Sequence, residues 1–116
     1  MKKILFYVVE NPDETMKIYH LFLNIKDLRN NGFDVKTILE GDATKIPLKM
    51  SEASHPLNSL YKDIKPSITA VCRGCAIATN SLDAAEKEGL PIIGDLENHV
   101  SIVKYLNDGY ELVVVG

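Results

Sequence analysis

The stretch Lys3-Ile4-Leu5-Phe6-Tyr7-Val8-Val9 decides the fold, because after its first residue it is apolar without interruption and rich in strand-forming side chains. Such a run is typical of a strand that is covered on both faces, as the central strands of a parallel sheet are. The lysines near the start resemble the basic start of a signal peptide, but Glu10-Asn11-Pro12 ends the apolar run too early. We therefore expect residues 3–9 to form a central parallel strand.

The residues after this strand carry the signals of a helix start. Asn11 is a suitable N-cap, Pro12 fits the first helical position, and Glu14 lies three residues beyond the cap as in a capping box. Apolar residues then recur at helical spacing until Gly32, which suits a left-handed helix exit. They are Ile18, Leu21, Phe22, Ile25 and Leu28.

The rest of the chain continues this alternation. Further strands are predicted at 33–39, from 67 to 71 or 72, at 92–93 and at 110–115. Helices are predicted between Pro56 and Pro66, across Cys75, Ala78, Leu82 and Ala85, and across Val100, Val103 and Leu106. Residues 42–54 are expected to be a loop that Pro47 interrupts. Five strands alternating with four helices predict one α/β domain over residues 1–116, with a mainly parallel sheet and helices on both faces.

Composition and charge exclude several classes of function. The chain has 116 residues, of which 46% are hydrophobic and 25% charged, so a core can form without disulfides or a structural metal. A net charge of -3 without a block of like charges predicts binding neither to nucleic acid nor to a membrane surface, and no apolar stretch is long enough for a membrane span. No nucleotide-binding glycine motif is present, and we expect no cofactor. The expected location is the cytoplasm, where a close cysteine pair is catalytic, redox-active or metal-binding.

The most informative chemical feature is the pair Cys72 and Cys75, in the predicted turn from the third strand into a helix. Ligand sites of open α/β sheets lie beyond the carboxyl ends of the strands. The start of a helix and the neighbouring Arg73 both favour thiolate over thiol, so one sulfur could accept a sulfur atom as a persulfide or exchange with a disulfide. Alternatively, both cysteines pack as small hydrophobic residues, because free cysteine is among the most buried residue types.

A zinc site is the least favoured interpretation of this pair. The spacing of two cysteines supplies half of such a site, but the chain has no other cysteine, and His20, His55 and His99 are scattered along it. His99 lies four residues after Asp95, so the two could share a helix face as metal ligands or as an acid/base pair. We expect His20 and His55 to be surface or capping residues, and we predict no metal ligands.

Several short segments together resemble the DsrE/DsrF-like family of sulfur-relay proteins over most of the chain. They are Ile4-Leu5-Phe6, the run from Val35 to Ala43 that contains Gly41, the run from Ala70 to Cys75, and Asn98-His99-Val100-Ser101-Ile102-Val103. The resemblance implies a three-layer α/β/α domain that assembles into dimers, trimers or hexamers, with the cysteine near a subunit interface. It also implies an activity, where there is one, of carrying sulfur as a persulfide between donor and acceptor proteins.

The resemblance makes Cys72 the first candidate for the sulfur-bearing residue, and Cys75 then resolves or assists. Arg73 and Gly74 between them, together with Gly41 and His99, are the predicted supporting residues. Two alternative functions remain. One is a dithiol/disulfide switch that uses the same two cysteines, and the other is a non-enzymatic oligomeric binding module in which the cysteines only pack.

Overall fold

The structure is a computed structural model that describes residues 2–116, and all its strands belong to one parallel sheet. The strands are β1 (Lys3–Val8), β2 (Asp34–Leu39), β3 (Ile68–Cys72), β4 (Ile92–Ile93) and β5 (Glu111–Val115). Their order across the sheet is β4-β3-β2-β1-β5, and every neighbouring pair is parallel. The predicted five-stranded parallel sheet is confirmed. The strand order, which periodicity does not reveal, places β3 between β2 and β4.

Helices cover both sides of this sheet. They are α1 (Thr15–Asn30), α2 (Ile46–Met50), α3 (Asn58–Ile64), α4 (Arg73–Ala78), α5 (Leu82–Lys87) and α6 (Val103–Asn107). Successive strand residues point to opposite faces, so Val71 belongs to a large core with α1, α2 and α3, whereas Cys72 belongs to a smaller core with α6. None of the helices within residues 2–116 combines the length and the apolar character that crossing a membrane requires.

The first helix begins later than its sequence signals predict. Its first residue is Thr15, and the residue before it makes no side-chain capping hydrogen bond. Instead, the Asn11 side chain accepts a hydrogen bond from the Asp13 backbone N–H at 2.9 Å, which forms a local turn. The predicted capping box is therefore wrong, but the exit is as expected, because Gly32 has φ +84°.

Three further predictions need correction. The expected loop at 42–54 contains the 3-10 turn Gly41–Lys45 and then α2, because Pro47 lies in the first turn of that helix, where its missing N–H is tolerated. The single helix predicted after Cys72 is two helices, because Asn80 has φ +57° and interrupts the helical conformation between α4 and α5. The last helix begins at Val103, so Val100 precedes it.

Candidate functional site

The turn from β3 into α4 carries both cysteines, as the sequence predicts. Cys72 is the last residue of β3 and the N-cap of α4, and its sulfur accepts a hydrogen bond from the Cys75 backbone N–H at 3.4 Å. Cys72 is 0% exposed, whereas Cys75 is half-buried. Both thiols are free. The two sulfur atoms therefore lie together at the carboxyl end of a central strand but differ in their access to solvent.

Glu40, which the sequence analysis did not single out, meets the cysteines from the neighbouring strand. It follows β2, whose residue Leu39 pairs with Val71 of β3, so the chain after each strand emerges at the same end of the sheet. Its carboxylate is 6% exposed; Oε2 lies 3.5 Å from Cys75 Sγ and Oε1 accepts a hydrogen bond from the Val100 N–H at 3.2 Å. An acidic residue at the end of a predicted central strand was the signal that could have identified it.

Gly41 has a conformational role next to this carboxylate. Its φ of +53° lies in the left-handed region, and its carbonyl accepts a hydrogen bond from the Thr44 hydroxyl at 2.8 Å. The chain turns away from the sheet at this point into the 3-10 turn. Gly41 therefore lies beside the site and supplies no chemical group to it.

His99 reaches the cysteines from a tight turn. Leu96 and His99 exchange two backbone hydrogen bonds of 2.8 Å, and Glu97 and Asn98 between them both have positive φ, as in a type I′ turn. The Nδ1 atom of His99 lies 3.0 Å from Cys72 Sγ and 3.6 Å from Cys75 Sγ. The structure therefore assembles the three chemically active residues that the sequence predicted: Cys72, Cys75 and His99.

The predicted helical pairing of His99 with Asp95 is wrong, because residues 94–102 contain no helix. The Asp95 carboxylate instead accepts a hydrogen bond from the Ser101 N–H at 2.9 Å. The other two histidines lie outside the site. His20 is exposed on α1, and the His55 Nδ1 accepts a hydrogen bond from the Leu57 N–H at 3.0 Å, which agrees with the predicted surface and capping roles.

Gly74 allows the His99 turn to dock on α4. Its N–H donates to the Asn98 carbonyl at 2.8 Å, and a Cβ atom at this position would lie 3.0 Å from both that carbonyl oxygen and the Cε1 atom of His99. A side chain at this position would therefore require the Asn98 carbonyl and the His99 imidazole to shift by a few tenths of an ångström. Arg73 is exposed, and its side chain makes no hydrogen bond or ion pair with another residue of the described chain.

The electrostatic environment of the thiols is set by burial and by Glu40. The pKa of Cys72 is raised to about 12, chiefly by burial; side-chain hydrogen bonding to Cys75 and Glu40 and the Glu40 charge act in the same direction, while the Cys75 backbone N–H opposes the rise. The pKa of Tyr7 is raised as well, by burial first and then by the charges of Glu40 and the two cysteines. The site therefore combines several groups that become negative on ionisation.

These residues form a compact set of potential ligands and proton acceptors, which we call the donor cluster: Glu40, Cys72, Cys75 and His99. Each of the four residues contributes one donor atom, and these four atoms all lie within 4.8 Å of one another. Two thiols, an imidazole and a carboxylate at such distances are suited to thiol exchange assisted by proton transfer, or to binding a metal ion.

Comparisons with known proteins establish relatives and the fold. No family model matches the chain. A structure of a conserved protein of unknown function, BT1422 from Bacteroides thetaiotaomicron, superposes with a TM-score of 0.65 over 96% of this chain and 94% of that chain, at 15% identity. This likeness supports the α/β fold. An uncharacterized protein of Archaeoglobus fulgidus is 44% identical over 54 residues, which are 47% of this chain and 87% of that protein.

The relative that covers nearly the whole chain is the uncharacterized protein MJ0733 of Methanocaldococcus jannaschii. It is 33% identical over 110 residues, which are 95% of this chain and 89% of that protein. The names of these relatives carry no function, so the resemblance to sulfur-relay proteins stays a prediction. On the extent and identity of this match, the chain belongs to the same family as MJ0733.

Proposed function

We propose that the protein is a sulfur carrier that holds a transferable sulfur atom as a persulfide on Cys75. The observation that carries this proposal is the pairing of an accessible and a buried thiol around one imidazole, with His99 Nδ1 3.6 Å from Cys75 Sγ and 3.0 Å from Cys72 Sγ. A thiol beside a histidine can become a thiolate, which is the nucleophilic form. Free thiols persist in a reducing compartment, so the proposal places the protein in the cytoplasm.

Accessibility favours Cys75 over Cys72 as the sulfur-bearing residue. A sulfur donor must reach the accepting thiol, and Cys72 is 0% exposed. Its pKa is raised to about 12, mainly by burial, so this thiol stays protonated at neutral pH. The proposal thus exchanges the roles that the family resemblance implies: Cys75 accepts the sulfur, and Cys72 is the supporting thiol.

The transfer step needs no external oxidant. The Cys75 thiolate attacks the outer sulfur of a donor persulfide R–S–SH, a new S–S bond forms at Cys75 Sγ, and the S–S bond of the donor breaks. The donor leaves as a thiolate R–S⁻, and the proton of the Cys75 thiol passes to His99 Nδ1 and from there to that leaving group. Glu40 Oε2, 3.5 Å from Cys75 Sγ, is a second acceptor for the same proton.

A dithiol/disulfide switch is the second candidate, because the two sulfur atoms lie within 4.8 Å of each other. Attack of Cys72 on a Cys75 persulfide would form a disulfide between them and release HS⁻. The same geometry therefore supports either passing the sulfur to an acceptor protein or discharging it. The two outcomes differ in their product, which is a protein-bound persulfide in one case and a disulfide in the other.

Sulfur labelling tests the proposal directly. The reduced protein is incubated with polysulfide, and separately with a cysteine desulfurase and cysteine, and then its intact mass and its peptides are measured. We expect an adduct of about 32 Da, one sulfur atom, on Cys75. The adduct should survive in Cys72→Ser and in the control His20→Ala and should disappear in Cys75→Ser. An unmodified wild type with both donors, or an adduct that persists in Cys75→Ser, contradicts the proposal.

A second copy of this chain is the partner that we propose for assembly. Within residues 2–116, the strand β5 pairs with β1 alone, so its other edge has backbone groups that no described strand pairs with. It also exposes apolar side chains, with Leu112 and Val113 each 39% and Val114 58% accessible. Identical strands can pair edge to edge across a two-fold axis, which would cover both copies at once. Sedimentation of the wild type at micromolar concentration should give a mass above that of one chain.

A further inference from the structure

The donor cluster is close in size to a tetrahedral zinc site. Zinc binds sulfur at about 2.3 Å and nitrogen or oxygen at about 2.0–2.2 Å, so the donor atoms of a tetrahedral site lie roughly 3.3–3.8 Å apart. In the cluster, His99 Nδ1 lies 3.0 Å from Cys72 Sγ and 3.6 Å from Cys75 Sγ, Cys75 Sγ lies 3.5 Å from Glu40 Oε2, and the other donor pairs lie within 4.8 Å, so side-chain adjustments would bring the four atoms around one ion. We propose that Glu40, Cys72, Cys75 and His99 together bind one Zn²⁺ ion.

The types of donor favour zinc over harder metal ions. Thiolate sulfur and imidazole nitrogen suit Zn²⁺, whereas Mg²⁺ and Ca²⁺ prefer oxygen ligands throughout. Two cysteines separated by two residues commonly supply half of a zinc site. The sequence analysis found this half and no other. The second half comes from two segments remote in the sequence, one ending β2 and one in the turn before α6.

Backbone hydrogen bonds hold these segments in place around the cluster. The Val100 N–H binds Glu40 Oε1 at 3.2 Å, which directs Oε2 towards Cys75. The Gly74 N–H binds the Asn98 carbonyl at 2.8 Å and fastens the His99 turn to α4. Outer contacts of this kind orient the ligands of natural metal sites.

The charge of the cluster gives an independent reason for a cation. Glu40 is 6% exposed, and no ion pair within residues 2–116 involves it. Buried carboxylates normally pair with a positive group or coordinate a metal. On zinc binding, both thiols would lose their protons, two Zn–S bonds would form, and about two protons would be released to solvent. The charges of the carboxylate and the two thiolates would then largely be balanced by Zn²⁺.

This inference goes beyond the proposed function, because a zinc site requires no persulfide. The test begins with elemental analysis of protein purified without chelator, followed by removal of metal and titration with Zn²⁺ against a competing chelator. We expect one zinc per chain. Co²⁺ in place of zinc should give the absorption bands of a tetrahedral ion bound by thiolates. The Co²⁺ spectrum uses the wild-type chain and therefore does not depend on how any variant folds.

Four substitutions identify the ligands: Cys72→Ser, Cys75→Ser, His99→Ala and Glu40→Gln. Each should weaken zinc binding by more than about 100-fold, because loss of a residue that only supports a ligand typically weakens binding by up to that amount. The control His20→Ala should bind zinc as the wild type does. Glu40→Gln retains an oxygen acceptor for the Val100 N–H, and circular dichroism checks that each variant is folded.

Three results would overturn the zinc site: no uptake of Zn²⁺ by the metal-free wild type at one ion per chain, a Co²⁺ spectrum without thiolate bands, or wild-type affinity in His99→Ala and Glu40→Gln. Because His99 and Glu40 also take part in the proposed sulfur transfer, sulfur labelling and Zn²⁺ titration are both done on the metal-free wild type. Absence of zinc binding with retained labelling, or the reverse, therefore separates failure of the zinc site from failure of the sulfur carrier.

Discussion

Two strands of similar apolar composition, β3 and β5, have opposite environments in the same sheet. β3 reads Ile-Thr-Ala-Val-Cys and lies between β2 and β4, with four of its five residues buried. β5 reads Glu-Leu-Val-Val-Val, has β1 as its one neighbour among the described strands, and contains no buried residue. Neighbouring strands account for the difference, since each of them covers backbone and side chains that an edge strand leaves exposed.

The proposed thiol chemistry and the proposed assembly therefore lie at different places on the molecule. The end of β3 is enclosed by two neighbouring segments, so four polar donors can be held at defined distances, as at the ligand-binding ends of other parallel sheets. The surface of β5 offers apolar contact area from the exposed side chains of Leu112, Val113 and Val114. We therefore expect substitutions at the end of β3 to change chemistry and substitutions on β5 to change assembly.

The largest effect is expected on β5. Val114→Lys places a charge at the most exposed valine of this strand, and a lysine on an edge strand opposes pairing with a second strand. If the proposed assembly through β5 forms, multi-angle light scattering should show a larger mass for the wild type and the mass of a single chain for Val114→Lys. The control is Ile77→Lys, a similarly exposed apolar residue on α4, which should leave the mass unchanged. A Val114→Lys variant that assembles like the wild type would remove β5 from the interface.

A smaller effect is expected at the end of β3 from Gly74→Ala. The added methyl group would lie 3.0 Å from His99 Cε1 and from the Asn98 carbonyl, so the turn that carries His99 must shift by a few tenths of an ångström, and we expect this shift to disturb the position of the imidazole. Zinc affinity should fall by about 10–100-fold, the range for disturbed outer contacts of metal ligands. Titration with Zn²⁺ measures this, with Ala78→Gly as the control for a changed residue elsewhere on α4. Unchanged affinity in Gly74→Ala would show that His99 does not need its observed position.

The smallest effect is expected from the hydrogen bond between Asp34, at the start of β2, and Tyr110, directly before β5. The Tyr110 hydroxyl donates to Asp34 Oδ2 at 2.6 Å, and burial and then this carboxylate raise the pKa of Tyr110 to about 12. The folded protein keeps this proton where the unfolded chain, with a tyrosine pKa of about 10, loses it. The stabilisation is therefore complete below pH 10 and is lost as the pH rises from about 10 to 12.

The matched variant for this hydrogen bond is Tyr110→Phe, which should be less stable at neutral pH and lose less stability in that alkaline range. Urea unfolding across the pH range measures the difference between the two proteins. Tyr61 also has a raised pKa, from burial and from Glu88, but it is present in both proteins and cancels in the comparison. Parallel stability curves for wild type and Tyr110→Phe would contradict the assignment.

The parts of the site that follow from local pattern were predictable. Cys72 and Cys75 lie where an apolar run meets a glycine-containing turn, and the structure has a strand ending and a helix beginning at this point. Glu40 was missed because its meeting with Cys75 depends on the pairing of β2 with β3, which joins residues 35 positions apart. The position of His99 was missed because its spacing from Asp95 was interpreted as helical, whereas two residues with positive φ form a tight turn there.

The sequence by itself determined the alternation of strands and helices, the parallel sheet and the place of the cysteine pair at the end of a strand. These features depend on hydrophobic periodicity and turn residues, which act over a few neighbouring positions. Only the tertiary structure decided the strand order, the burial of Cys72, the exposure of β5 and the meeting of Glu40 and His99 at the thiols. Those features depend on contacts between segments remote in the chain, which local periodicity does not encode.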